Sequence, residues 1–235
     1  MAVDDLPGPV VTFLNVLGVP WPYINEDDVH HFATIVREFG QAVQKTHEDA
    51  TETLSGFAQA YQSSATQQMQ SGWAELAANH VQPLVEGSAV LADALDVGAA
   101  FIVAQKVEAI AELIGMAAAF VADQAASVAT FGLAETAVPL IIEAGKKLLE
   151  TLKQQIIQYI TGQIIEAAAK PLFEKIEQAL SGLDWSQTSA AAGPSSGFSL
   201  DFEEAASQLS VLQGHAETMR GHAQTLRSGL QGLEF

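Results

Sequence analysis

Cysteine is absent from all 235 residues. That excludes disulfides, thiolate nucleophiles, iron–sulfur clusters and Cys-type zinc sites, and leaves the redox compartment open. Basic residues are scarce as well: 10 Lys and Arg stand against 28 Asp and Glu, a formal net charge of -18. With no cationic surplus to displace the counterions condensed on nucleic acid, or to hold an anionic membrane surface, neither is an expected partner. Charge of either sign makes up only 16% of the chain while 49% is hydrophobic, so a core can form and disorder is not expected. The apolar share leans on alanine, and the larger apolar residues recur at helical spacing rather than in alternation, so almost no sheet is expected.

A cleaved leader is not expected either. Residues 6–25 carry no charge, but Asp4 and Asp5 stand where a signal peptide needs positive charge, and Pro7, Pro9, Pro20 and Pro22 interrupt any helix long enough to span a bilayer. The most apolar stretch, 98–142, is broken by Lys106, Glu108, Glu112, Asp123 and Glu135, which reads as a buried helix rather than a transmembrane one.

What is present is helical periodicity. Asn25, followed by Glu26, Asp27 and Asp28, is an N-cap with acids in the first turn, where the helix dipole favours negative charge. Trp21 or Ile24 before it suits a hydrophobic staple over that turn. Val29, Phe32, Val36, Phe39, Val43, Ala50, Leu54, Phe57 and Tyr61 fall at steps of three, four or their sum, one face of a single helix whose length implies an elongated molecule. Small polar residues at 62–70 place a hairpin turn near Gln62–Ser64, with a second helix through Trp73. Pro83 and Gly87 punctuate the path to a long alanine-rich helix from Val90, with a break near 130–132. Helix resumes from about Ala134, with a wide apolar stripe from Leu148 to Ile176 that Pro171 is expected to kink. Ser, Ala, Gly and Pro at 183–197 form a linker. Beyond it, Phe202, Ala205, Leu209, Leu212, Ala216, Met219, Ala223, Leu226 and Leu230 alternate steps of three and four, a coiled-coil seam whose burial partner is this molecule, a second copy or a separate segment. The expected architecture is all-α: an elongated helical bundle built on long antiparallel helical hairpins, with a domain at 1–182, the linker at 183–197 and an amphipathic heptad helix at 198–235.

Chemistry finds no foothold in the sequence. The six histidines form neither H-x-x-x-H nor H-E-x-x-H, so metal spacing is absent; His215 and His222 fall beside the terminal seam and read as solvated flanks. Gly193-Pro-Ser195-Ser-Gly197 matches G-x-S-x-G in letters only, because a nucleophile elbow needs a strand before it and a helix after it. Paired acids such as Glu203 and Glu204 have no pocket to share, and phosphate-cradling glycine loops are missing. No enzyme, no cofactor and no metal is expected.

Val16-Leu17-Gly18-Val19-Pro20-Trp21-Pro22, then Asn25-Glu26-Asp27-Asp28, then a long helix, a hairpin and an alanine-rich helix together resemble the WXG-like N-terminal domain of actinobacterial polymorphic toxins, the CpnT-like channel-forming necrotizing toxin being the best-known type. The resemblance covers most of 6–182, and Phe198–Phe235 is similar to the first helix of a further hairpin. Trp21, Pro22 and Asp27 carry its N-terminal motif, while Tyr61-Gln62-Ser63 stands where the family has Trp-x-Gly; Tyr61 as anchor and Ser63 as the small turn residue keep the same physical roles. The resemblance implies a non-enzymatic secretion-targeting and partner-docking module of a type VII-exported toxin, the toxin domain lying outside this chain. It also implies export to the exterior or cell surface without a cleaved signal peptide. Its partners would be small WXG-type helical proteins and the type VII machinery; self-association remains an alternative, membrane contact is not expected of this chain alone, and the terminal seam, through Phe202, Leu209, Leu212, Met219 and Leu226, is by its geometry the expected docking row. A helical pore or channel domain, resting on 98–142, and a homodimeric adaptor using the terminal seam are the competing readings.

Overall fold

The computed structural model describes residues 6–61, 63–129, 137–181 and 202–233. Among the described residues every regular element is a helix: α1 Gly8–Leu17, α2 Glu26–Ala60, α3 Ser64–Leu76, α4 Gln82–Ala129, α5 Val138–Tyr159, α6 Lys170–Ser181 and α7 Phe202–Gln231, with π-helical segments at Ala77–Val81 and Ile160–Ala169. The chain is all-α, as its periodicity predicts. The break expected near 130–132 and the linker at 183–197, with Ser195, lie outside the described residues.

Local chemistry explains the boundaries. Asn25 caps α2 through its side-chain oxygen, which accepts the backbone N–H of Asp27 at 3.1 Å. α1 is a helix that the prolines hide: Pro7 is its N-cap, a second proline stands in its first turn, and Gly18 closes it at φ 64°. Proline is tolerated there because the first-turn N–H groups have no intrahelical acceptor, and glycine is favoured in the left-handed cap. Pro83 and Pro171 end no helix. Each follows a π-helical segment by two residues, and in the first of these the Gln82 N–H reaches back to the Ala77 carbonyl. The wider turns lie just before the two prolines, where a proline ring crowds the carbonyl four residues back and cannot donate to it.

Two compact units assemble from non-contiguous stretches. Among the described residues the first comprises 6–31, 94–129 and 137–165. Its core is built from Val10, Phe13 and Leu17 of α1, Ile102 and Leu113 of α4, and Leu149, Leu152 and Ile156 of α5, all buried. The Phe13 and Phe120 rings meet at 5.6 Å, and α1 sits against α5 where Gly145 leaves room: a Cβ there would lie 3.0 Å from Leu17. Farther along, Phe101 of α4 stacks on Tyr159 of α5 with centroids 4.2 Å apart.

The second unit comprises, among the described residues, 32–61, 63–93, 166–181 and 202–233. Within it α2 and α4 run antiparallel, Arg37 pairing with Asp93 at 3.0 Å and Gly40 facing Ser88, whose Cβ would be 3.0 Å from a Cβ at Gly40. The centre of the α2 stripe is Ala33, Val36, Val43, Ala50 and Leu54, buried, whereas Phe32 and Phe39 are half-buried at its edge. Small residues let the helix axes approach, and the large ones are displaced to the flank.

Candidate docking surfaces

The residues singled out in the sequence fall at three places. The first is the entry to α2, in the first unit. Trp21 is buried, Pro22 half-buried, and Asp27 exposed in the first turn of α2. Beneath them Lys106 of α4 donates to Glu26 Oε2 at 2.7 Å and to the Ile24 carbonyl at 2.7 Å, with 0% of Lys106 and 3% of Glu26 exposed. Lys106 is the sole Lys or Arg between Lys45 and Lys146. Read in the sequence as an interruption of an apolar run, it is instead the tie that fixes the Trp21–Asn25 segment on α4. Its isolation is the signal that could have found it, because a lone lysine on a buried stripe needs a partner. Around this segment Leu6, Val11, Leu14, Val19 and Tyr23 line an open cleft of about 620 Å³.

The second is the tip of the α2–α3 hairpin, in the second unit. Tyr61 is buried directly after α2, its ring 5.0 Å from that of Phe57. Ser63 caps α3: its hydroxyl accepts the Thr66 N–H at 3.2 Å, and its own N–H donates to Thr66 Oγ1 at 2.9 Å. Thr66 Oγ1 also donates to the Tyr61 carbonyl at 2.7 Å, so the turn lies where the polar stretch places it, and helix occupies 64–70 rather than loop. The clamp farther down is Trp73, which the sequence left without a role. Its Nε1–H donates to Thr51 Oγ1 at 2.8 Å and its ring stacks on His47 at 5.0 Å. Burial of the imidazole pushes the His47 pKa below its ordinary value, opposed by the Glu48 carboxylate.

The third is α7, also in the second unit. His222 shares a hydrogen bond of 2.9 Å with Thr46, His215 a longer one of 3.4 Å with Thr53, and Gly229 faces Ile35, 3.1 Å from a Cβ placed on the glycine. α7 therefore runs antiparallel to α2, and the histidines read as solvated flanks belong to its packed face. Leu212, Met219 and Leu226 share that face, half-buried, while Leu209 is 54% exposed and Ala216 and Ala223 are exposed. The helix is turned by one row from the expected seam: of its described side chains Leu212, Met219, Leu226 and Leu230 are shielded, and Leu209, Ala216 and Ala223 look outward. Phe202 opens α7. Asp49, Glu52, Gln208 and His215 border a shallow cleft between α2 and α7, and among the described residues no group of three His, Asp or Glu is placed to hold a metal ion.

A model of the WXG100-like domain matches residues 4–164, from before α1 into the second π-helical segment. The chain belongs to the WXG100-like domain family. This is a family of secreted helical proteins associated with type VII secretion, whose members generally pair as helical hairpins. No curated protein and no solved structure matches the chain. The WXG100-like match includes the Trp21 segment, the Lys106 tie and the hairpin tip, and ends before α6 and α7.

Proposed function

We propose that this WXG100-like chain is a non-enzymatic secretion-targeting and partner-docking module of a type VII-exported polymorphic toxin of the CpnT-like kind, with toxin activity carried by a separate domain. The observation that carries the proposal is the family match over a chain whose helices keep apolar rows uncovered. Leu209, Ala216 and Ala223 of α7 form such a row, on a helix already seated against α2. A helix in that position offers a partner a preformed second seam, and so avoids most of the ordering cost of docking. The exporting organism would be an actinobacterium, and the partners small WXG-type helical proteins.

Replacing Leu209 and Ala216 by Asp in the toxin-bearing protein tests the reading. Both side chains face solvent, so the helical circular dichroism should be unchanged. Co-purification of the small helical partner and export to the culture medium should fall at least tenfold. Wild-type export together with wild-type partner recovery would refute docking through α7.

A pore or channel role has one observation in its favour: the helical stretch Thr66–Ala126 contains a window long and apolar enough to cross a membrane, of which 39% is buried. Over 98–126 the sequence reading of a buried helix therefore holds for one face of α4 only. Dye release from vesicles by the purified chain discriminates, and the secretion-module reading expects none at neutral pH.

A further inference from the structure

α4 carries two apolar stripes in the first unit, and the molecule uses one. Leu95, Ile102, Lys106 and Leu113 mark the buried stripe. On the opposite side a second stripe runs through Val97, Val107, Ile114 and Val121, with alanine at 100, 104, 111, 118 and 125. These nine positions alternate steps of three and four from 97 to 125 without a miss, and every one is exposed; the four larger residues are 59%, 52%, 46% and 64% exposed. A Cβ placed on Gly115 beside them meets nothing within 4 Å. An average period of 3.5 is the signature of a helix that supercoils with another, and here it is displayed with none of the described helices on it.

The charges around the stripe say what fits. Glu108 and Glu112 flank its middle, both exposed, and from 97 to 125 the single basic residue, Lys106, is buried. A second copy of this chain would bring Glu108 and Glu112 against the same two carboxylates, on a molecule already at a net charge of -18, and like charges beside a seam oppose pairing. A bilayer would have to take both carboxylates into hydrocarbon. A helix with Lys or Arg beside its own apolar row meets neither penalty. Alanine and valine leave shallow holes between turns, which leucine-sized side chains fill.

We propose that the outer face of α4 from Val97 to Ala125 is the docking seam for one helix of a separate protein, a helix that bears large apolar residues at heptad spacing and basic residues at the flanks. The proposal rests on the partner-docking reading for the existence of such a protein, and assigns a face of α4 to it in addition to the outward row of α7.

The test uses the purified full chain and two fluorescently labelled 28-residue helical peptides. Both carry leucine at the a and d positions; one has lysine at e and g, the other glutamate. Anisotropy titration should show saturable binding of the lysine peptide, with the glutamate peptide at least tenfold weaker in low salt. The gap should narrow at high salt as the flanking charges are screened. Val107→Asp with Ile114→Asp should weaken the lysine peptide at least tenfold without changing the circular dichroism, whereas Leu140→Asp, at an exposed apolar position of α5, should leave its binding unchanged. Equal binding of the two peptides, or no binding of either, overturns the proposal. Loss of peptide binding in the Leu209→Asp, Ala216→Asp variant of α7 alone overturns the α4 assignment and leaves the docking function standing. A dimeric mass in sedimentation, or binding to vesicles of phosphatidylcholine and phosphatidylglycerol, that disappears in the Val107/Ile114 variant replaces the partner helix by a second copy or by lipid.

Discussion

Removing the Lys106 ammonium is the sharpest test of how the first unit is held. Lys106→Met keeps the length and apolar stem of the side chain but leaves Glu26, 3% exposed, without the cation at 2.7 Å and takes a donor from the Ile24 carbonyl. Breaking one side of a buried pair costs about 3–5 kcal/mol. Glu26 stands in the first turn of α2, where the helix dipole offsets part of the stranded charge, so the lower half of that range is expected. For a chain of this size each kcal/mol moves the midpoint by about 2–4 °C, so Tm should drop by roughly 6–16 °C. The double replacement Glu26→Leu with Lys106→Met removes both charges and should recover most of the loss, because an apolar pair of similar volume often equals a buried ion pair. About 1 kcal/mol should remain lost, for the Ile24 carbonyl without its donor. Thermal and urea unfolding of the two singles and the double, followed by circular dichroism, give the cycle. If the double variant is as unstable as the sum of the singles, the pair carries no coupling and the account of the Trp21 segment fails.

Two further outcomes follow from the second unit. The folded-state pKa of His47 lies below its unfolded value, so the unfolded chain binds the extra proton first; this contribution is fully favourable above the unfolded pKa of about 6.5 and is lost as pH falls through it, and His47→Phe, which keeps an aromatic ring against Trp73, should show a smaller fall in Tm between pH 7.5 and 5.5 than the wild type. Gly72→Ala, whose new Cβ meets nothing within 4 Å, should stabilise α3 by about 0.5–1 kcal/mol through helix propensity, whereas Gly40→Ala puts a Cβ 3.0 Å from Ser88 Cβ and should lower Tm despite the same propensity gain; equal shifts in urea midpoint for the two would contradict the close approach of α2 and α4.

The helices were legible where a local signal decides them. Asn25 and its following acids fixed the start of α2, and the polar run after Tyr61 fixed its end, because caps and turns act over a few residues. α1 was missed because four prolines were weighed as breakers, when Pro7 and Pro9 occupy the one turn of a helix that tolerates them. The row of α2 through Val29, Val36, Val43, Ala50 and Leu54 is buried as its spacing indicates, while Phe32 and Phe39, read into the same row, are only half-buried beside Ala33 and Gly40, since a stripe read by size overlooks that the closest helix contacts need the smallest side chains. α7 slipped for a related reason. Counting large apolar residues selects Leu209 for the seam, but the facing stretch of α2 presents Thr46 and Thr53, and hydroxyls there are satisfied by His222 and His215. A one-row rotation of a helix with an average period of 3.5 changes little in apolar burial, so the polar pairs choose the row.

The docking proposed on α4 requires that an acidic chain present an apolar face without associating with its own copies. A helix apolar on every side normally belongs inside a core or a bilayer, and an uncovered apolar stripe is an invitation to nonspecific association. In α4 the outer stripe consists of alanine, valine and a single isoleucine, which expose little hydrophobic area per turn, and its only exposed charges from 97 to 125 are two glutamates at its middle. Short side chains keep the free face weakly adhesive, while like charge sets identical molecules apart. A basic-flanked helix reverses both terms at once, because its long side chains supply the buried area and its cations supply the attraction. Specificity then comes from repelling copies of the same chain as much as from attracting the partner. On this argument Glu108→Lys with Glu112→Lys should raise the affinity of α4 for the glutamate-flanked peptide and lower it for the lysine-flanked one, with helicity unchanged. A double charge reversal that left both affinities where they were would show that the two glutamates play no part in choosing what docks on this face.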